Sequence, residues 1–110
     1  MYQTIQNLEE YQALVANEPA LLVYYSTVEC QVCKVLKPKV GEMIRQHFPK
    51  VKLAYVNLNE SPELAAQNRI FVVPTLQVIL DGHEYIRKSR SFSIHELQEQ
   101  LARPYQLMFS

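Results

Sequence analysis

LLVYYSTVECQVCK, residues 21–34, runs from an apolar stretch into a pair of cysteines two residues apart, and its reading decides the rest of the chain. Residues 20–26 are apolar at both parities and rich in Val and Tyr, which suits a central strand covered on both faces. From Cys33 onward Leu36, Val40, Met43 and Ile44 recur at helical spacing. Pro38 inside that pattern removes a backbone donor and is expected to kink the helix. Cys30 and Cys33 therefore sit at a strand-to-helix junction. Spacing alone leaves three readings of them open: a redox pair, half of a metal site, or two buried thiols.

Working outward, residues 2–5 read as a short strand. Asn7 then caps a helix with Glu10 at its third position, and Leu8, Tyr11, Leu14 and Val15 fall on one face. Beyond the cysteines, residues 51–57 read as a strand. SPEL at 61–64 supplies a cap, a proline at the first helical position and an acidic first turn for a short helix ending near Asn68. TLQVIL (75–80) and EYIRK (84–88) flank Asp81-Gly82, the signal of a tight antiparallel hairpin. SIHE (93–96) is a capping box for a last helix that presents Ile94, Leu97 and Leu101, with Pro104 as its stop. The order β-α-β-α-β-α-β-β-α, with crossovers early and a hairpin late, predicts an α/β fold: a mixed central sheet with helices on both faces.

The chain has 110 residues, 48% of them hydrophobic, which suits one domain over 1–110 with a single core. Eleven basic and eleven acidic side chains cancel, so no net positive field exists to attract nucleic acid or an anionic membrane, and neither partner is expected. The N-terminus MYQTIQNLEE has no basic segment leading into an apolar one, and ALLVYY, the longest apolar run, is too short to span a bilayer. A cytoplasmic protein is expected. In that reducing compartment a lone C-x-x-C points to chemistry or metal rather than to a structural crosslink. Against metal, a closed zinc site needs more ligands than two cysteines, and His47, His83 and His95 are scattered at no ligand spacing. The histidines read as surface residues, and no metal or bound cofactor is expected.

This order, with C-x-x-C opening the second helix, resembles the thioredoxin family from about residue 2 to residue 103. The matching pieces are LLVYY, CQVCK with Pro38 five residues after the second cysteine, NLNESPEL, VVPT at 72–75, and Asp81-Gly82. The resemblance implies the thioredoxin fold, a cis bond between Val73 and Pro74 lying against the cysteine pair, and thiol–disulfide exchange with disulfide-bearing protein substrates. Thiol chemistry suits this location, because a helix N-terminus presents unpaired N–H groups and the positive end of the dipole to the first cysteine. Cys30 is then the nucleophile, and Cys33, one turn deeper, resolves the mixed disulfide. The recharging reductant is a thioredoxin reductase, a low-molecular-weight thiol or a dedicated partner.

Several residues depart from the family pattern. Glu29 stands where tryptophan is common, and its charge opposes thiolate at Cys30. Gln31 and Val32 replace a common Gly-Pro, so the reduction potential does not transfer from relatives. Tyr24 and Tyr55 replace a buried Asp and its Lys partner, leaving a neutral pair that phenolic hydrogen bonds can satisfy. Lys34 and Lys37 read as a solvated helix face. These departures keep a redox-inactive adaptor of the same fold as the alternative to an oxidoreductase. Arg90, sixteen residues after Pro74, stands where the family usually has a glycine beside the substrate groove. It either points into solvent or narrows the groove and makes it positive. PYQLMFS (104–110) is an extra C-terminal tail, expected to fold back on the domain of a monomer, with a dimer contact as its alternative.

Overall fold

The computed structural model describes residues 2–90 and 92–110. Its elements are β1 (Gln3–Thr4), α1 (Leu8–Asn17), β2 (Ala20–Ser26), α2 (Gln31–His47), β3 (Lys52–Asn57), α3 (Pro62–Gln67), β4 (Thr75–Leu80), β5 (His83–Ser89) and α4 (Ile94–Phe109). The order matches the expected alternation. The five strands form one sheet in the order β1-β3-β2-β4-β5. β3 runs parallel to β1 and β2, while β4 is antiparallel to both β2 and β5.

β2 lies at the centre and is buried along its whole length. Its side chains alternate between two cores, as the two-residue period of a strand requires. Leu22 and Tyr24 join Cys33, Val40, Ile44, Leu97 and Leu101 on the α2 and α4 side. Leu21, Val23 and Tyr25 join Ile5, Leu64 and Ile79 on the α1 and α3 side. A strand apolar at both parities is thus one that needs cover on both faces.

The helix starts follow their caps with two changes. Asn7 Oδ1 accepts from the Glu10 N–H at 2.8 Å, and the Glu10 carboxylate accepts from the Gln6 N–H at 2.6 Å, one residue ahead of the cap itself. Ser93 Oγ accepts from the Glu96 N–H, but the Glu96 carboxylate turns to Lys88 Nζ instead of closing the box. Ser61, expected as a side-chain cap, makes no capping bond; its hydroxyl donates to the Gln6 carbonyl and ties the start of α3 to the N-terminal segment. At the hairpin, Asp81 and Gly82 both take left-handed backbone, φ 53° and 82°, the pairing that a two-residue turn needs.

Two helices pass through proline. α2 continues as one helix through Pro38. The expectation that Pro104 stops α4 is corrected: the helix runs on to Phe109, so residues 104–109 are its last turns rather than a separate tail folding back. Each proline deprives only the carbonyl four residues before it, and those belong to the exposed Lys34 and Gln100, where water can serve. What holds α4 past Pro104 is aromatic packing. Tyr105 sits edge-on to Phe48 at 5.0 Å and against Phe109 at 4.8 Å, and its hydroxyl accepts from the Lys50 N–H.

Candidate active site

Cys30 is the N-cap of α2, so the cysteine pair opens the second helix as expected. Its Sγ accepts from the Cys33 N–H at 3.2 Å, one of the unpaired donors of the first turn. The two cysteines form a disulfide with Cα atoms 5.3 Å apart. Their exposure differs: Cys30 is half-buried, whereas Cys33 is 1% exposed and belongs to the core. An outer sulfur and an inner one follow from where the strand ends and the helix begins.

The flanking residues divide by environment. Gln31, Val32 and Lys34 are exposed on the first turn of α2. Glu29 is exposed, and its carboxylate accepts from Asn59 Nδ2 at 3.3 Å, while Asn59 Oδ1 accepts from the Val28 N–H. Asn59, in the loop after β3, thus ties down the segment leading into Cys30. Its side chain sits in the NLNE run, but nothing in the local spacing shows that it reaches thirty positions back to Glu29.

The Val73–Pro74 bond is cis, and Pro74 is buried at the start of β4. Val73 packs on the same cluster as Cys30. Thr75 Oγ1 donates to the Val72 carbonyl at 2.6 Å and shares a bond with Ser89 Oγ at 3.2 Å, closing the turn around the proline. The Arg90 N–H donates to the Pro74 carbonyl at 2.7 Å. Arg90 takes left-handed backbone, φ 66°, the region that favours glycine. Its side chain is exposed and makes no hydrogen bond or ion pair among the described residues.

Beneath the disulfide, Tyr24 is fully buried and its hydroxyl donates to the Cys33 carbonyl at 3.0 Å. Tyr55, its partner across the parallel ladder, shares a hydrogen bond with Ser26 Oγ at 2.8 Å. Both phenols are satisfied, and burial pushes the Tyr24 hydroxyl well above the usual phenol range, so it stays neutral. Lys37 differs from the expected solvated position. It is half-buried, with Nζ 3.6 Å from the Tyr55 ring centroid and 5.1 Å from that of Tyr2. Desolvation lowers its pKa.

His47, His83 and His95 stand on three different elements, all exposed, and His95 lies 3.1 Å from Glu99 of its own helix. Among the described residues no three His, Cys, Asp or Glu side chains gather into a metal-holding group. Among the described residues no helix is long and apolar enough to cross a membrane.

A disulfide at a helix N-cap, backed by a cis-proline on a mixed five-stranded sheet, defines a dithiol–disulfide exchange site. The thioredoxin family profile matches residues 3–103. The thioredoxin-like protein YdfQ of Bacillus subtilis is 28% identical over 94% of this chain and 91% of its own length. A thioredoxin of Alicyclobacillus acidocaldarius is 28% identical over 90% of this chain and 93% of its own. The solved thioredoxin of Fasciola hepatica superposes with a TM-score of 0.81 at 24% identity, covering 92% of this chain and 97% of that one. Oxidised mitochondrial thioredoxin 3 of Saccharomyces cerevisiae does so with 0.80 at 22% identity, covering 89% and 91%. The chain belongs to the thioredoxin family, and with its Cys30–Cys33 pair it is a thiol–disulfide oxidoreductase.

Proposed function

We propose that the chain reduces disulfides of protein substrates, with Cys30 as nucleophile, Cys33 as resolving thiol, and no bound cofactor. The observation that carries this reading is the unequal burial of the pair: Cys30 is reachable at the helix start, while Cys33 is sealed in the core. In the reduced protein the Cys30 thiolate, favoured by the helix N-terminus, attacks one sulfur of the substrate disulfide and expels the other as a thiolate that takes up a proton. Cys33 then gives up its proton and attacks Cys30 Sγ. The second substrate thiol leaves, and two electrons have passed to the substrate as the Cys30–Cys33 disulfide forms. Val73, Pro74 and Arg90 border the place where a substrate chain would lie. A thioredoxin reductase or a low-molecular-weight thiol recharges the pair, the protein works as a monomer in the cytoplasm, and it serves cell redox homeostasis.

The test is reduction of insulin by protein charged with dithiothreitol, together with trapping. Cys33→Ser keeps the nucleophile and loses the resolving thiol, so it accumulates mixed disulfides on Cys30; Cys30→Ser traps almost nothing. Equal trapping by both overturns the assignment of roles, and an inert wild-type protein points to the adaptor alternative.

A further inference from the structure

Between α2 and the sheet, the Lys37 side chain holds a cation among aromatic rings. Lys37 follows Cys33 by four positions, so the two side chains share a helix face with Cβ atoms about 5–6 Å apart. Long helical side chains lean back over the preceding turn, which carries the Lys37 ammonium toward Cys33. There it rests on the faces of Tyr55 and Tyr2. The Tyr2 hydroxyl donates to the Lys37 carbonyl at 2.9 Å and fixes the same turn from the other side. No carboxylate lies within ion-pair distance of Lys37 among the described residues.

The other groups around this space carry no competing charge. β2 contributes Tyr24 and Ser26, β3 contributes Tyr55, and Tyr2 precedes β1; burial raises the Tyr2 and Tyr24 hydroxyls, which stay neutral. From β4 and α4 the cluster receives Leu76, Val78, Leu97 and Leu101, none of them titratable. Lys34 is exposed on α2, and the Glu29 carboxylate is turned to Asn59 at the surface. Ring faces hold a cation without neutralising it, so the charge remains available to a neighbouring anion. The anion this site must form is the Cys33 thiolate, which burial alone would disfavour.

We propose that Lys37 is a positioning residue of the resolving step: its ammonium, held on the faces of Tyr55 and Tyr2, stabilises the Cys33 thiolate that attacks Cys30 Sγ and releases the substrate thiol. The proposal rests on the dithiol roles given above. No further reactant is needed: the Cys33 proton passes to solvent, the Cys33–Cys30 bond forms as the mixed disulfide breaks, and the departing thiolate is protonated.

The test is stopped-flow reaction of reduced protein with excess dithiobis-nitrobenzoate, which releases one coloured thiolate when Cys30 attacks and a second when Cys33 resolves. A cation within about 4–6 Å shifts a thiol by about one unit or more, so its removal should raise the Cys33 thiol by that amount. Thiolate nucleophilicity rises with pKa at a Brønsted slope of about 0.4–0.5, so the net loss at neutral pH is about threefold per unit. Lys37→Met should therefore slow the second phase about threefold or more at neutral pH, shift its profile to higher pH, and match or exceed wild type once Cys33 is fully ionised. The first phase should change less than about twofold, and Lys37→Arg should keep the wild-type profile. Lys37→Gln serves the same comparison if the methionine variant does not fold. A second-phase profile that superimposes on wild type in a folded neutral variant overturns the proposal. A wild-type protein that shows no second phase overturns the dithiol roles instead.

Discussion

Arg90 is a residue whose backbone and side chain pull in different directions. Its left-handed φ of 66° and its N–H bond to the Pro74 carbonyl are what a glycine would supply, while its charged side chain is exposed. Replacing it with glycine relieves about 1–2 kcal/mol of left-handed strain and returns about 0.5–1 kcal/mol through the freer unfolded chain. Arg90→Gly is therefore expected to hold or slightly raise the thermal midpoint. If the guanidinium faces the substrate, the same variant lowers the preference for disulfide peptides carrying Asp or Glu over those carrying Lys or Arg. Thermal denaturation and paired peptide turnover read the two effects separately. Unchanged selectivity leaves Arg90 as a surface residue with only a backbone role. The family resemblance marked position 90 as one where glycine is usual; its left-handed backbone and the destination of its side chain were not legible, because an exposed arginine has no packing to set it. Lys37 shows the converse. Its position on α2 was plain, but the rings that receive it come from β3 and from the segment before β1, far away in the chain.

At the scale of elements, most boundaries followed from caps and periodicity, and the failures share one cause. Pro104 ends a helix only when nothing beyond it has a place to pack. Here Tyr105, Met108 and Phe109 fall on the α4 face that meets the core, and their gain outweighs one lost backbone bond. Tyr105→Ala removes the edge contact on Phe48, the ring against Phe109 and the acceptor of the Lys50 N–H. For a half-buried aromatic the cost should be about 2 kcal/mol, or a midpoint about 8 °C lower for a domain of this size. Insulin reduction at a temperature where the variant is folded should stay within about twofold of wild type. A midpoint unmoved by the change would mean that the last turns of α4 contribute nothing to the fold. Ser61 failed as a side-chain cap for the same kind of reason: a distant carbonyl, that of Gln6, claimed its hydroxyl.

Across the whole molecule, the tyrosines behave as a set. Tyr2, Tyr11, Tyr24 and Tyr25 all have hydroxyls raised above the ordinary phenol value of 10.0, burial being the largest cause in each. Tyr25 and Tyr11 both donate to Gln77 Oε1, and Asn68 Nδ2 donates to the Tyr25 hydroxyl, so these two neutral phenols are tied to the core on the α1 side. A group whose pKa is raised by folding contributes stability that is complete below its unfolded value and is lost as pH climbs toward its folded one. The denaturant midpoint should therefore hold through neutral pH and fall steeply above about pH 10. Tyrosinate absorbance from these four should rise together with loss of structure. Gradual ionisation with the fold intact would contradict it. The sheet, the helix order and the place of the cysteine pair were legible because they rest on local pattern. The hydrogen-bond partners of the buried tyrosines were not, because they are settled only when separate elements meet.

The two margins of the sheet bear on how the molecule behaves in company. One margin is β1, two residues long; the other is β5, where Glu84, Arg87 and Lys88 are interleaved with Tyr85 and Ile86 and a bulge breaks the ladder at Val78–Ile79. A strand from a second chain that tried to extend the sheet would find too few backbone groups at the first and charged side chains on a kinked ribbon at the second. Crowding such molecules together, as in a concentrated stock or a densely filled cell, therefore gives growing fibrils no template from which to start.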